Sequence, residues 1–171
     1  MNLQRWNDFD QRWLERLGVA DHPGHRRRAA IFLAHSGDSW FWLAGLGLLW
    51  LIAPDPWRNW AGRVALAILA LAVVVMIIKF SIRRERPAGE WGTIYRRSDP
   101  HSFPSGHAAR AVMLAVLAIG WGPTWLGVLL AVWAPLVSAA RILMGLHYPT
   151  DVLAGGLIGL LAGVATILLV P

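Results

Sequence analysis

Residues 111–140 read AVMLAVLAIGWGPTWLGVLLAVWAPLVSAA, a stretch without a charged side chain. At about 1.5 Å of rise per helical residue, this stretch is longer than one crossing of a bilayer. Gly120-Trp121-Gly122-Pro123 lies within it and favours a tight turn. The stretch therefore predicts two antiparallel helices, 105–122 and 124–143, joined as a hairpin inside a membrane.

Further apolar segments continue this pattern on both sides of the hairpin. They are residues 39–55, 60–82 and 149–170, which brings the predicted spans to five. Residues 29–38 would add a sixth span if they also insert, although alone they are too short to cross a bilayer. The last segment has four glycines suited to close helix packing, namely Gly155, Gly156, Gly159 and Gly163. The expected fold is an all-α transmembrane bundle of five to six spans, occupying residues 39–170.

The composition supports a single membrane domain over residues 1–171. Hydrophobic residues make up 56% of the chain and charged residues only 15%, which is too apolar for a soluble protein of this size. The net charge of +6 lies in clusters between apolar runs, so it favours anionic membrane lipids over nucleic acid as partners. The absence of cysteine excludes disulfides and thiolate metal sites.

The N-terminal region, residues 1–35, is expected to be amphipathic and interfacial. Residues 3–17 have the period of an amphipathic helix, with one apolar face made by Leu3, Trp6, Phe9, Trp13, Leu14 and Leu17. Such a helix either lies in the membrane interface or covers the bundle, and the two interpretations are compatible. Charges run through the first thirty residues, so no cleavable signal peptide is expected.

Three polar patches stand at the ends of the apolar segments. They are Lys79 with Arg86-Pro87, then Pro104-Ser105-Gly106-His107, and finally Arg141 with His147 and Asp151. With five spans, all three patches fall on the same side of the bilayer. Together they supply three cations, two imidazoles, a carboxylate and a helix start, which suits binding and cleavage of a phosphate.

The residue types in each patch indicate what chemistry it could support. Ser105 is a good N-cap, and the free amides of a first helical turn bind anions. The spacing of four between His147 and Asp151 lets the carboxylate reach one imidazole nitrogen and leaves the other free to attack. The three cations of these patches can neutralise a phosphoryl group, and they are Lys79, Arg86 and Arg141. The other arginines of the clusters are expected to extend towards lipid headgroups, namely Arg26, Arg27, Arg28, Arg58, Arg63, Arg83 and Arg84.

In this order and spacing, the patches resemble the signature of the type 2 phosphatidic acid phosphatase (PAP2) family, which is related to bacterial acid phosphatases and vanadium haloperoxidases. The resemblance implies a metal-independent enzyme without a cofactor. It implies His147 as the nucleophile that forms a phosphohistidine, Asp151 as the residue that orients it, and His107 as the acid. It implies phosphate binding by Lys79, Arg86, Ser105, Gly106 and Arg141. The family often has serine where this chain has Ala140, which is expected to affect phosphate binding modestly.

The expected function is hydrolysis of a lipid phosphate monoester or a polyprenyl diphosphate at the cell membrane. The main alternative is a noncatalytic lipid-binding membrane protein of the same fold. A haloperoxidase is disfavoured because those relatives are large and soluble, and transport is disfavoured because the charges gather at one membrane surface. The resemblance implies a site facing outside the cytoplasm, whereas the basic N-terminus and the loop of residues 83–97 favour the cytoplasmic side.

Overall fold

The computed structural model describes residues 3–19, 24–88 and 99–170, and the regular structure in these ranges is helical. Seven helices occur there: α1 (Leu3–Leu17), α2 (His25–Ser36), α3 (Ser39–Ile52), α4 (Trp57–Ile82), α5 (Gly106–Trp121), α6 (Thr124–Leu143) and α7 (Pro149–Leu169). The prediction of an all-α bundle is confirmed. Residues 89–98 of the predicted loop of residues 83–104 lie outside the described residues.

All five predicted apolar segments form helices with bounds close to those expected. Three of them, α4, α6 and α7, are long and apolar enough to cross a membrane. The other two, α3 and α5, have 14 and 16 residues and fall short of the roughly 20 that a full crossing needs. Helix α2 has only 12 residues and packs against α6, in line with an apolar stretch too short to span.

Helix α5 is the centre of the bundle and packs closely against α6 and α7. A Cβ added at Gly159 would lie 2.0 Å from the carbonyl oxygen of Ala109, and one at Gly155 would lie 2.3 Å from that of Ser105. The backbones of α5 and α7 therefore touch, which only glycine allows here. Gly156 faces elsewhere, since its added Cβ would meet nothing nearer than Val112 at 3.8 Å. This contact holds the start of α5 beside the start of α7.

Helix α1 packs against the bundle, and its position in a membrane interface stays a prediction. Its Asp10 is fully buried and accepts hydrogen bonds from the backbone nitrogen and the hydroxyl of Thr150, at the start of α7. On its apolar face, Phe9 and Trp13 remain 40% and 41% exposed. Helix α1 thus docks on the bundle with its Asp10 carboxylate buried, while part of its apolar face stays exposed.

The turn between α6 and α7 brings the third patch together. Gly145 has a φ of +64°, the left-handed conformation that commonly ends a helix. The carbonyl oxygen of Arg141 accepts from the backbone nitrogens of Leu146, at 3.0 Å, and His147, at 3.3 Å. The chain therefore folds back over the end of α6, and this places His147 beside the helix that carries Arg141.

Candidate active site

Two of the predicted cations share one carboxylate. Lys79, in the last turn of α4, and Arg86 are 2% and 3% exposed. Asp99 lies between them, with one oxygen 3.1 Å from the Lys79 Nζ and the other 2.7 Å from an Arg86 nitrogen. A second Arg86 nitrogen donates to the carbonyl oxygen of Leu146 at 2.8 Å. The first and third patches therefore meet, and a phosphate that binds Lys79 and Arg86 competes with Asp99 for them.

His147 lies beside Arg86 with a defined tautomer. Its Nδ1 is 2.8 Å from the carbonyl oxygen of Ser102, and its Nε2 is 3.3 Å from an Arg86 nitrogen. A carbonyl only accepts and a guanidinium only donates, so Nδ1 carries the hydrogen and Nε2 keeps its lone pair. Burial, then the charges of Arg141, Arg86 and Lys79, hold the pKa of His147 well below its usual range. The lowered pKa favours the neutral ring at neutral pH.

The structure corrects how Asp151 relates to His147. The nearest Asp151 oxygen is 3.8 Å from Nδ1, so the hydrogen bond expected from their spacing is made by the Ser102 carbonyl instead. The Asp151 side chain caps its own helix, since Oδ2 accepts from the Tyr148 backbone nitrogen at 2.9 Å. Asp151 is completely buried and lies behind the imidazole at ion-pair distance.

Arg84 was expected to extend towards headgroups, and that prediction is wrong. One of its nitrogens donates to Asp151 Oδ1 at 2.7 Å, and another donates to Asp10 Oδ2 at 2.6 Å. Its guanidinium also lies over the ring of Tyr148, 4.2 Å from the ring centroid. Two fully buried carboxylates draw Arg84 inward, because an ionised carboxylate away from water needs a cation nearby.

The second patch begins α5 as predicted. Ser105 is the N-cap, and its hydroxyl accepts from the Ala108 backbone nitrogen at 3.4 Å. Its own backbone nitrogen donates to the carbonyl oxygen of Asp151 at 2.9 Å. Gly106 and His107 follow in the first turn of α5, where the helix dipole favours an anion. The second and third patches are therefore joined directly.

His107 has a carboxylate partner that the sequence interpretation missed. Its Nε2 is 2.7 Å from Asp38 Oδ1, in the short connection between α2 and α3. Partial burial would raise the pKa of Asp38, but the hydrogen bond and charge of His107 lower it to about 2. Asp38 is therefore a carboxylate at neutral pH. Arg110, one helical turn after His107, is 7% exposed and binds the same connection.

Six residues that contact the predicted site residues or their connections were not predicted from the sequence, namely Asp10, Asp38, Arg84, Asp99, Ser102 and Arg110. Only Arg110 carried a usable signal, because a charge inside an apolar helix is costly unless it is paired. The carboxylates of Asp38 and Asp99 lie in polar connections, and that of Asp10 lies on an amphipathic helix. Acidic residues are common at such places, so their presence did not indicate a site. Ser102 acts through its backbone carbonyl, which no side-chain pattern reveals.

A cavity of about 510 Å³ opens beside the second patch. Its polar end contains Lys79, Asp99 and His107, and its apolar wall is formed by α4 residues such as Ile68 and Val75. A charged end next to an apolar wall fits a ligand with a phosphate on a hydrocarbon chain.

Comparison with known proteins shows the family of this chain. The family model of the PAP2 superfamily matches residues 60–171, which include all three patches. The chain belongs to the PAP2 superfamily. As a PAP2 protein it is a phosphatase that hydrolyses phosphate esters, and its apolar helices make it a membrane protein.

Two relatives of this PAP2 protein act on polyprenyl-linked phosphates, according to their names. The decaprenylphosphoryl-5-phosphoribose phosphatase of Mycolicibacterium smegmatis is 38% identical over 80% of this chain and 74% of its own. The undecaprenyl-diphosphatase of Sulfolobus acidocaldarius is 29% identical over 75% of this chain and 63% of its own. The crystal structure of a PAP2 type phosphatidylglycerolphosphate phosphatase from Bacillus subtilis superposes with a TM-score of 0.76 at 22% identity, covering 95% of this chain and 84% of the other. That likeness shows the shared fold.

Proposed function

We propose that this PAP2 protein removes a terminal phosphate from a lipid phosphate monoester or a polyprenyl diphosphate through a phosphohistidine intermediate. The observation that carries the proposal is His147, a neutral imidazole whose Nε2 lone pair lies among cations. Arg86 contacts that nitrogen at 3.3 Å, and the charges of Arg141 and Lys79 also act on the ring. The same cations that keep His147 neutral would stabilise the charge of a bound phosphoryl group.

The proposed reaction has two steps. In the first, His147 Nε2 attacks phosphorus in line, the bond from phosphorus to the ester oxygen breaks, and His107 gives that oxygen a proton. In the second, water attacks the phosphohistidine, the bond from nitrogen to phosphorus breaks, and His107 takes a proton from the water. Lys79, Arg86 and Arg141, with the backbone at Ser105 and Gly106, hold the phosphoryl oxygens. Because side chains supply the positive charge and the proton, this route needs no metal.

A polyprenyl or other lipid chain is the favoured remainder of the substrate. The names of the two relatives point to polyprenyl-linked phosphates. The apolar wall of the cavity, formed by α4 next to Lys79, supports a hydrocarbon chain at this position. Contacts along such a chain would raise the concentration of the phosphate at the site without taking part in the chemistry.

Phosphate release from a lipid panel tests the proposal. The purified protein is expected to release phosphate from decaprenyl phosphoribose phosphate, undecaprenyl diphosphate or phosphatidic acid in detergent, and fastest from a polyprenyl substrate. Orthovanadate should inhibit, because it mimics the phosphoryl group in transfer, and EDTA should leave the rate unchanged. Binding of these lipids without release of phosphate from any of them would instead favour a noncatalytic lipid-binding protein.

We further propose that the helices cross the cell membrane several times, with the site on the extracytoplasmic face. One of the two basic segments that favour the opposite side, the loop of residues 83–97, contains the proposed phosphate ligand Arg86, so its charge reflects the site as well as the topology. Single cysteines at Asp55 and Ala88 test this, because both residues are exposed and lie at opposite ends of α4. In intact cells, a membrane-impermeant maleimide is expected to label Ala88→Cys and spare Asp55→Cys. The reverse pattern would put the site in the cytoplasm.

A further inference from the structure

Asp38 makes a contact that no PAP2 patch includes. Its Oδ1 lies 2.7 Å from Nε2 of His107, and its Oδ2 lies 3.2 Å from Nδ1 of His35. Asp38 occupies the N-cap position of α3, yet its side chain makes no cap hydrogen bond to that helix. An aspartate at this position ordinarily caps the helix, but here the carboxylate accepts a hydrogen bond from His107 instead.

The connection on both sides of Asp38 is tied to the helix that carries His107. Arg110 of α5 donates from Nε to the carbonyl oxygen of Gly37 at 3.0 Å, and a second guanidinium nitrogen donates to the same oxygen. Its remaining nitrogen donates to the hydroxyl of Ser39. The residues before and after Asp38 are thus fixed to α5 by one buried side chain, which limits how far the carboxylate can move from the imidazole.

Gly37 allows this close approach. A Cβ added there would lie 3.2 Å from Cδ2 of His107 and 2.9 Å from a methyl carbon of Val137. A side chain at this position would therefore press on the imidazole itself. The imidazole of His107 is therefore contacted on one side by the backbone at Gly37 and on another by the carboxylate of Asp38.

The contact with Asp38 determines which ring nitrogen of His107 carries a hydrogen. A carboxylate only accepts, so the Nε2 of His107 carries a hydrogen and donates it to Asp38. The nitrogen that exchanges a proton with the substrate must then be Nδ1. An imidazole held in this way by a carboxylate is fixed in orientation. Burial and the charge of Arg141 lower the pKa of His107, and the hydrogen bond and negative charge of Asp38 oppose that shift, so Asp38 favours the protonated ring that must donate.

We propose that Asp38 is a positioning residue that orients His107 as the proton donor for poor leaving groups. This inference rests on the proposed function. In the first step, the Nδ1 proton of His107 passes to the departing oxygen as its bond to phosphorus breaks, and His107 becomes neutral. In the second step, water gives a proton to Nδ1 as its oxygen binds phosphorus. Asp38 keeps the Nε2 hydrogen throughout and exchanges no proton with the substrate.

The test compares two leaving groups in one variant. Asp38→Asn keeps the shape of the side chain and removes its charge. With a long-chain alkyl phosphate, whose alkoxide needs a proton to leave, kcat is expected to fall by roughly 100-fold. With a nitrophenyl phosphate that carries an alkyl chain of the same length, kcat should stay within about 3-fold, because nitrophenolate leaves without a proton. KM should change little for either substrate.

Three further variants sharpen the comparison. His35→Gln, at the exposed side of Asp38, is the matched control and should leave both rates unchanged. Asp38→Asn added to His107→Gln should cost little more than His107→Gln alone, because both act on one proton transfer. Gly37→Ala, which presses on the imidazole, should reproduce the selective loss with alkyl phosphate if Asp38→Asn fails to fold.

Equal losses with the two leaving groups, or full additivity with His107→Gln, would overturn the inference, since a merely structural role lowers every rate alike. The wild-type protein separates this failure from that of the proposed function. If wild type turns over both phosphates and Asp38→Asn shows no selectivity, only the role of Asp38 is wrong. If wild type releases phosphate from neither, the proposed function itself fails.

Discussion

Replacement of His147 by asparagine is expected to lower turnover of a lipid phosphate by roughly 10⁴-fold or more, the range seen when an enzyme loses its nucleophile. The variant is chosen for geometry. The asparagine amide can still donate to the Ser102 carbonyl, which His147 Nδ1 contacts at 2.8 Å, but it has no atom equivalent to Nε2. The fold should persist, so the loss would report chemistry. Phosphate release and thermal unfolding, both measured in detergent, check the two halves of this expectation.

Covalent trapping makes the test sharper. Rapid acid-free quenching of the wild type with radiolabelled substrate should leave phosphate on the protein, stable in base and lost in acid as a phosphohistidine is. His147→Asn should carry no label. His25→Ala, at an exposed position of α2, is the matched control and should label like the wild type. A label that persists in His147→Asn, or near-normal turnover by that variant, would refute the proposed nucleophile.

Replacement of Arg84 by alanine is expected to destabilise the protein by about 3–5 kcal/mol, the range for removal of one partner from a buried ion pair. Arg84 binds Asp10 at 2.6 Å and Asp151 at 2.7 Å, and both carboxylates are fully buried. Without the guanidinium, two negative charges remain away from water. Turnover should also fall, because Asp151 lies directly behind His147. The midpoint of chemical unfolding in detergent measures the first effect.

The neighbouring arginine offers a control with the same charge change. Arg83 is exposed and has a φ of +53°, a conformation that asparagine tolerates. Arg83→Asn should therefore shift the midpoint only slightly. Asp10→Asn should lower stability less than Arg84→Ala, since Arg84 keeps Asp151 as a partner. Equal shifts for Arg83→Asn and Arg84→Ala would show that the buried ion pairs contribute little.

The helices were predictable because their signals are local. Long uncharged runs, bounded by Pro54, Gly122-Pro123 and Pro149, define where each apolar helix begins and ends. The glycines of α7 were also informative, although periodicity alone did not separate Gly156 from the three that touch α5. The sequence did not reveal that α3 and α5 are only 14 and 16 residues long, because flanking residues that extend an apolar run need not continue its helix.

The site was predictable where residue types carry the chemistry, as with Lys79, Arg86, His107 and His147. It was not predictable where a backbone atom or a distant segment supplies the partner. The hydrogen bond from His147 goes to a carbonyl 45 positions earlier, and the pair between His107 and Asp38 spans 69 positions. Arg84 shows the same limit, because nothing near it in sequence indicates that Asp10 comes to meet it.

Asp10 also has a consequence for biosynthesis. Asp10 leaves the ribosome well before its partners, because Arg84 and Thr150 follow 74 and 140 positions later. Helix α1 can reach its final place only after Thr150, at the start of α7, has been synthesised. Docking of α1 onto the start of α7 is thus a late event in the assembly of this bundle.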